Sequence, residues 1–547
     1  MAVTIQMITT ALLVAASKSL EPLPIAIDDL VADESGTCAS ENCSLELLQV
    51  RSGKVRRQQP NILLLMLDQW RYDWDGYHSP IALHLPTVER LAENGVRFTQ
   101  AYVPSPLCAP SRASLASGRE YDQTGVPTHA EDFPRGITTF YSLLRSTGYH
   151  TMTAGKDDLT QGSALGFRWG YPGCPTCRDG DGLYRLADLG FSDGLRSMGK
   201  YESVMREQPM DNYSLTLKSH LVKTRQGTLT DAWQAYLGCI GKGDAALCES
   251  ETFSQEDHPD DIVARGAIAL LQRRPLHQPF FLQVNFPGPH PPYEVTPSMM
   301  SSLDDRWLPG AFNGGMQQQG ERCNVAAGTP NANRSRCNYA AGLQNLDRLF
   351  KSVIDQVEAQ EELNNTLIVV TSDHGEMLGD HGLWNKKMPW QQSVAVPLII
   401  AGPWLSKGRV VESPVATLDV VGTFLDFAGV KPAEGMTTVS MRSLLQPGSG
   451  QPYRSFVSSG LSENVEWRLV VKEVEGVSYK YMCCVRECPA HFQLSKSGGR
   501  QMLIDVKADP FDMNDLSSEK PEIVASLRAL LPAEGYSGNF SAGCAEL

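Results

Sequence analysis

The residues best suited to chemistry lie in the stretch from Cys108 to Arg119, which reads Cys-Ala-Pro-Ser-Arg-Ala-Ser-Leu-Ala-Ser-Gly-Arg. Pro110, two residues after the thiol, breaks the preceding pattern and leads into a helix start that Ser111 is placed to cap. Arg112 sets a fixed positive fork beside the sulfur, and a helix N-terminus next to an arginine is a seat for an anion. Four further polar groups, Asp68, Lys156, His290 and Asp373, each fall just beyond an apolar run. Scattered by chance, they would not all do so.

Those runs define the elements that must position the site. Ile62–Leu67 is continuously apolar, as in a strand buried on both faces, and it ends in Asp68-Gln69-Trp70-Arg71. A helix from about Val88 stops at Asn94-Gly95. Val96–Val103 is a strand that leads to Cys108; Tyr141–Thr147 is a helix; Tyr149–Ala154 is a strand ending at Gly155-Lys156-Asp157-Asp158. Residues 160 to 260 read as an insertion of loops and short helices. Ile262–Leu271 is a helix and Pro279–Phe286 a buried strand before His290. Leu343, Leu346, Leu349, Phe350, Val353, Ile354 and Val357 mark one face of a long helix. Leu367–Thr371 is a strand that runs into Ser372-Asp373-His374-Gly375-Glu376, and a strand Val396–Ala401 and a helix Leu418–Ala428 close the unit. Strands alternating with helices predict an α/β fold with a mostly parallel central sheet flanked by helices, and such sheets bind ligands at the carboxyl ends of their strands. After about Gly435 short alternating strands (Arg468–Val474, Ser478–Met482, Gln501–Val506) and a helix Pro521–Leu531 predict a smaller domain with an antiparallel sheet.

The chain has 547 residues and a formal net charge of -14, which argues against nucleic-acid binding and leaves any anion to a local basic cluster. No apolar run reaches the roughly 18 residues of a membrane span. Residues 1–17 are read as a signal peptide lacking a basic n-region, 18–60 as leader and linker with a cleavage point after Arg57, 61–434 as the catalytic domain and 435–547 as the smaller one. Sequons at Asn42, Asn212, Asn333, Asn364 and Asn539 point to a secreted or luminal location. Of the 13 cysteines, all but Cys108 make an even set, and Cys38/Cys43, Cys174/Cys177, Cys239/Cys248 and Cys323/Cys337 are close enough for local bridges.

The Cys108-x-Pro110-Ser111-Arg112 core with the following Ser-Gly-Arg resembles the motif of the formylglycine-dependent sulfatases, with Ala116 where that family usually has leucine. The Asp68-Gln69 and Asp373-His374-Gly375 stretches are similar to those of sulfatases and of phosphonate monoester hydrolases, and residues 503–510 resemble the C-terminal region of many sulfatases. The resemblance implies an alkaline-phosphatase-like fold and a sulfuric ester hydrolase acting on a sulfated carbohydrate or small sulfate ester. It implies that a formylglycine-generating enzyme oxidises Cys108 to a formylglycine nucleophile. It further implies that Asp68, Gln69, Asp373, His374 and the oxidised Cys108 surround one divalent ion, Ca²⁺ first, with Mg²⁺ or Mn²⁺ as alternatives. Arg112 would stabilise the modified residue, Lys156 and Lys386 (in Gly379-Asp380-His381-Gly382-x-x-x-Lys) would hold sulfate oxygens, and His290 would protonate the leaving alcohol. His381 would orient its loop, and His129 falls where relatives often have a polar residue near the modified cysteine.

One position departs. Relatives often read Lys-x-His where this chain has Lys156-Asp157-Asp158. A carboxylate beside sulfate is costly unless a cation intervenes. Asp158 then points away, pairs with a lysine such as Lys387, or meets a positive group of the substrate; on an extended segment it would share a side with Lys156, at the rim of the pocket. Two alternatives to a sulfatase stand beside it: a phosphonate monoester or phosphodiester hydrolase with the same site, and a non-catalytic binder of sulfated glycans.

Overall fold

The computed structural model describes residues 48–531, apart from the internal stretches 160–181, 201–254, 324–331 and 486–498 and short gaps at 52–53, 58, 78–80, 82, 130, 198, 256–257, 304–305, 314, 451 and 463–464. The signal peptide, the sequons at Asn42, Asn212 and Asn539, and the cysteine pairs 38/43, 174/177 and 239/248 lie outside the described residues. Residues up to Gln58 form one unit, in which Leu48–Arg51 pairs antiparallel with Lys54–Arg57. The second unit runs from Gln59 to the end of the chain.

A nine-stranded sheet forms the centre of that second unit. Its strands are β1 (Asn61–Asp68), β2 (Gly95–Tyr102), β3 (His150–Lys156), β4 (Asp193–Ser197), β5 (Phe280–Pro289), β6 (Thr366–Ser372), β7 (Ala395–Ala401) and β8 (Arg409–Val411), with the short Val415–Ala416 beside β2. The order across the sheet is β8-β2-β7-β6-β1-β5-β3-β4. β1 pairs in parallel with β5 and β6, and β3 pairs in parallel with β4 and β5. Only β7 runs against its neighbours, antiparallel to both β6 and β2.

Alternation along each strand assigns the two faces. Leu63, Leu65 and Leu67 of β1, Leu282 and Val284 of β5 and Ile368 and Val370 of β6 enter one core. Ile62, Leu64 and Met66, with Phe281, Leu367 and Val369, enter the other. Helices α1 (Pro86–Glu93), α4 (Pro259–Arg273) and α5 (Ala332–Ala359) cover the first face; α2 (Cys108–Ser117), α3 (Phe140–Ser146) and α6 (Asp419–Ala428) cover the second. Each fully buried Leu or Ile contributes roughly 1.5–3 kcal/mol. The near-unbroken apolar runs of β1 and β6 follow from burial on both faces.

A second, four-stranded antiparallel sheet is built from β9 (Phe456–Ser462), β10 (Glu466–Val474), β11 (Val477–Cys484) and β12 (Gln501–Asp505). Helix α7 (Pro521–Arg528) places Val524 and Leu527 on one face, against Val470, Tyr481 and Leu503. The other face, with Trp467, Leu469, Met482 and Ile504, shares a core with Tyr72, Tyr102, Leu107, Met377 and Trp390 of the main body.

Candidate active site

Four strand ends and one helix start deliver the site. β1 ends at Asp68, β3 at Lys156, β5 runs out through Pro289 to His290, and β6 is followed at once by Asp373 and His374. Helix α2 begins at Cys108 itself, with Leu107 at the N-cap in extended conformation, so Pro110 sits inside the first turn, where a missing N–H is harmless. The expected cap by Ser111 is therefore corrected: the N-cap is Leu107, Ser111 lies inside the helix, and the Ser111 hydroxyl instead donates to the Asp373 carbonyl at 2.6 Å. The small residues Ala109, Ala113 and Ala116 let α2 pack closely, and Gly118, with φ 62, ends it in the left-handed region.

The Cys108 sulfur is 1% exposed and lies 3.0 Å from His374 Nε2, 3.0 Å from Lys386 Nζ and 3.6 Å from Asp68 Oδ1. Among the described residues it is the free cysteine; Cys323 is bridged to Cys337, as its spacing suggested, and Cys483 and Cys484 are also disulfide-bonded. Arg112 donates from Nε to Asp373 Oδ2 (2.9 Å) and from Nη1 to the Lys156 carbonyl (2.6 Å) and Asn285 Oδ1 (3.2 Å). Its Nη2 lies 2.8 Å from Asp373 Oδ2 and 3.6 Å from Asp68 Oδ2. Lys156 pairs with Asp68 and, at 3.0 Å, with Asp158. Lys386 also donates to Gln69 Oε1 at 2.9 Å.

Charge in this buried space is tightly balanced. Burial works to raise the Asp68 pKa, yet Lys156, His290, Lys386 and Arg112 hold it well below the usual carboxylate value. Asp373 is pushed up, by burial and by the neighbouring Asp68, against His374 and Arg112. Burial and Asp68 would raise the Cys108 thiol, but Lys156, Lys386 and His374 bring it well below its ordinary value, which favours the thiolate. Burial, then Lys386 and Lys156, push His290 well down against the pull of Asp68. Its Nδ1 lies against the Pro291 carbonyl, which only accepts, so the neutral ring carries its proton there.

Asp68, Cys108, Asp373 and His374 offer ligand atoms that all lie within 4.8 Å of one another. Two crowded buried carboxylates with an imidazole and a thiolate are a donor set that a divalent cation suits. Gln69 abuts them in a left-handed backbone conformation (φ 76), its N–H on Asp373 Oδ1 at 3.1 Å. His129 joins Cys108 and Asp158 in a second such group. Asp158 is 3% exposed, inside the site rather than at the expected rim, and the lysine it meets at 3.0 Å is Lys156. Its backbone is left-handed (φ 52), so the extended geometry assumed from sequence does not hold. His381 stacks on Trp390 with ring centroids 4.7 Å apart.

Several supporting residues were not anticipated. Glu376 accepts from the Gln69 amide, from Leu378 N at 2.9 Å and from Asn385 N at 2.6 Å, so it ties β1's end to the loop carrying Lys386. Tyr339 donates to the Gln69 carbonyl (2.7 Å) and accepts from Arg71 N (2.9 Å). A polar Asn285 inside the apolar run of β5 was the visible signal for its contact with Arg112.

The sulfatase family model matches residues 60–430, most of the chain. The chain belongs to the sulfatase family. A second model, N-sulphoglucosamine sulphohydrolase C-terminal, matches residues 379–533 of this sulfatase. It is 27% identical over 479 residues to choline-sulfatase of Rhizobium meliloti (84% of this chain, 82% of that one). It is 26% identical over 453 residues to human N-acetylglucosamine-6-sulfatase (79% and 73%). Among solved structures it is similar in fold to the phosphonate monoester hydrolase of Silicibacter pomeroyi, with a TM-score of 0.65, 21% identity and 86% and 94% coverage. A protein solved with its substrate D-glucosamine-2-N,6-O-disulfate gives a TM-score of 0.63 at 19% identity, with 88% and 99% coverage. The fold is thus alkaline-phosphatase-like, and this sulfatase is a sulfuric ester hydrolase. No helix among the described residues is long and apolar enough to cross a membrane.

Proposed function

We propose that this sulfatase hydrolyses a sulfate monoester of a carbohydrate or small alcohol, with Cys108 converted to formylglycine and one divalent ion, Ca²⁺ first, held by Asp68, Gln69, Asp373 and His374. The observation that carries the reading is the buried free thiol at the first residue of α2, 3.0 Å from both His374 Nε2 and Lys386 Nζ. When present, the hydrated aldehyde supplies a hydroxyl nucleophile and the ion a positive charge at the oxyanion.

The remaining work belongs to the chain's own side chains. Arg112 fixes Asp373 and, lying beside both carboxylates, offsets part of their mutual repulsion. Lys156 and Lys386 hold the sulfate oxygens and stabilise the charge that develops on them. His290 faces the leaving oxygen through Nε2. A bound sulfate ester places negative charge beside the two lysines that, together with burial, push this imidazole's pKa down; this lifts the pKa and lets the ring take up and deliver a proton. The disulfide between Cys323 and Cys337 supports an oxidising, secretory compartment, where a formylglycine-generating enzyme acts on the nascent chain.

Paired aryl sulfate and aryl phosphonate substrates test the reading, together with the mass of the Cys108 peptide. Sulfate turnover should exceed phosphonate turnover, and the peptide should be lighter by the exchange of CH2SH for CHO. A fully active protein with an intact thiol, or a preference for the phosphonate, would refute it.

A further inference from the structure

The residue that departs from the motif and a histidine from a distant loop occupy one place. His129 lies in the segment that follows α2, well away in sequence from the end of β3. Yet a ring nitrogen of His129, a carboxylate oxygen of Asp158 and the Cys108 sulfur all lie within 4.8 Å of one another. This triangle shares only Cys108 with the Asp68, Asp373 and His374 cluster. Glu131 fixes the turn that presents the ring, accepting from Thr128 N at 3.1 Å and from Thr128 Oγ1 at 2.7 Å. Asp158 is buried, holds Lys156 at 3.0 Å and keeps a left-handed backbone, a conformation that a non-glycine residue adopts where its surroundings impose it.

We propose that His129, brought beside Asp158 and the Cys108 sulfur, supplies an imidazole contact to the sulfate group. The proposal rests on the sulfatase reading above. A carboxylate at position 158 is tolerable beside a sulfate because its charge is offset by Lys156 at 3.0 Å. The imidazole then reaches the sulfur's surroundings from the loop instead of from the strand end. A cysteine, histidine and aspartate group is also a candidate for a second metal, but the Lys156 ammonium at 3.0 Å from Asp158 already occupies that carboxylate with a cation.

Calorimetric titration of the full chain with inorganic sulfate, alongside kcat and KM on an aryl sulfate, tests this. His129→Ala should weaken sulfate binding about tenfold, the loss of one hydrogen bond to a charged group. Asp158→Asn should weaken it less. The double variant H129A/D158H should recover most of the loss, which a merely structural role for His129 would not allow. Unchanged sulfate affinity in His129→Ala, a double variant no better than the single one, or a wild-type chain that binds no sulfate overturns the proposal. So does loss of a second metal equivalent in His129→Ala with sulfate binding intact. Failure of the matured wild type to turn over any sulfate ester would sink the sulfatase reading instead, while the titrations still decide the role of His129.

Discussion

Arg112 shows how much a single side chain can carry. Its guanidinium makes contacts in three directions, to Asp373, to the Lys156 carbonyl and to Asn285. Lysine keeps the charge but not the fork. Arg112→Lys should lower kcat about tenfold or more and lower the melting temperature, because buried acceptors lose partners worth about 1–3 kcal/mol each. An unchanged kcat would show that the fork is dispensable. The metal assignment has its own check: Asp68→Ala and Asp373→Ala should each lose bound metal together with activity, and full occupancy by elemental analysis in both would refute it. At this scale most of the site was legible, because Cys-x-Pro-Ser-Arg and Ser-Asp-His-Gly-Glu carry their spacing in the chain itself. The joint placement of His129 and Asp158 was not, since it depends on where two loops separated in sequence come to rest. Glu376 stood inside a recognised motif, but nothing in the string told that it would clasp Gln69 and Asn385.

The elements repeat this division. Strands β1, β5 and β6 were read from their apolar runs within a few residues of their ends, and the face of α5 from its periodicity, but α5 begins at Ala332, well before the first marked residue Leu343. The direction of β7 was not, because an apolar run looks the same in either sense. The start of α2 was misplaced because Ser111 looks like a cap and Pro110 like the break before it, when both sit inside a helix that Cys108 opens. Beneath the His290 segment lies a buried polar group that no motif announced. Asp260 accepts from Gly288 N at 2.8 Å, and Lys200 donates to the Pro292 carbonyl at 3.3 Å and to Glu294 at 3.2 Å, so the stretch carrying His290 is held on both sides. His258 lies 3.4 Å from Asp260 and 3.7 Å from Glu294. Burial raises Asp260 to about 6 and Glu294 to about 7, against the pull of Lys200. Both folded values exceed the ordinary carboxylate ones of 3.8 and 4.5, so the folded chain binds more protons than the unfolded one in that interval. The stability contributed by these two carboxyls should therefore fall as pH rises from about 4.5 to about 7, against the opposite contribution of His258, whose pKa burial lowers. Glu294→Gln should flatten that slope in thermal melts taken across the range; a slope identical to wild type would show that Glu294 does not titrate there.

For the molecule as a whole, the second sheet is part of the site's support. Trp467 is buried in the core shared with Leu107, the residue before Cys108, and its indole N–H donates to the Lys387 carbonyl at 2.9 Å, next to Lys386. Trp467→Phe keeps most of the packing and removes that bond. It should raise KM or lower kcat several-fold while moving the melting temperature by only a few degrees, whereas Trp467→Ala should cost about 3–5 kcal/mol. Equal activity in wild type and Trp467→Phe would show that the two sheets are functionally independent. The alternation after Gly435 revealed this sheet in the sequence, but not that its inner face would brace the catalytic loops, because shared cores leave no local pattern. The same depth of packing sets a timetable for biosynthesis. With Cys108 only 1% exposed at the base of a helix, no modifying enzyme can draw the thiol into its own cleft once the chain has closed. On the proposed formylglycine reading, oxidation would have to come first, while the polypeptide is still extended, and the fraction of competent enzyme would be decided by a race between a maturation catalyst and the closure of α2 onto the sheet.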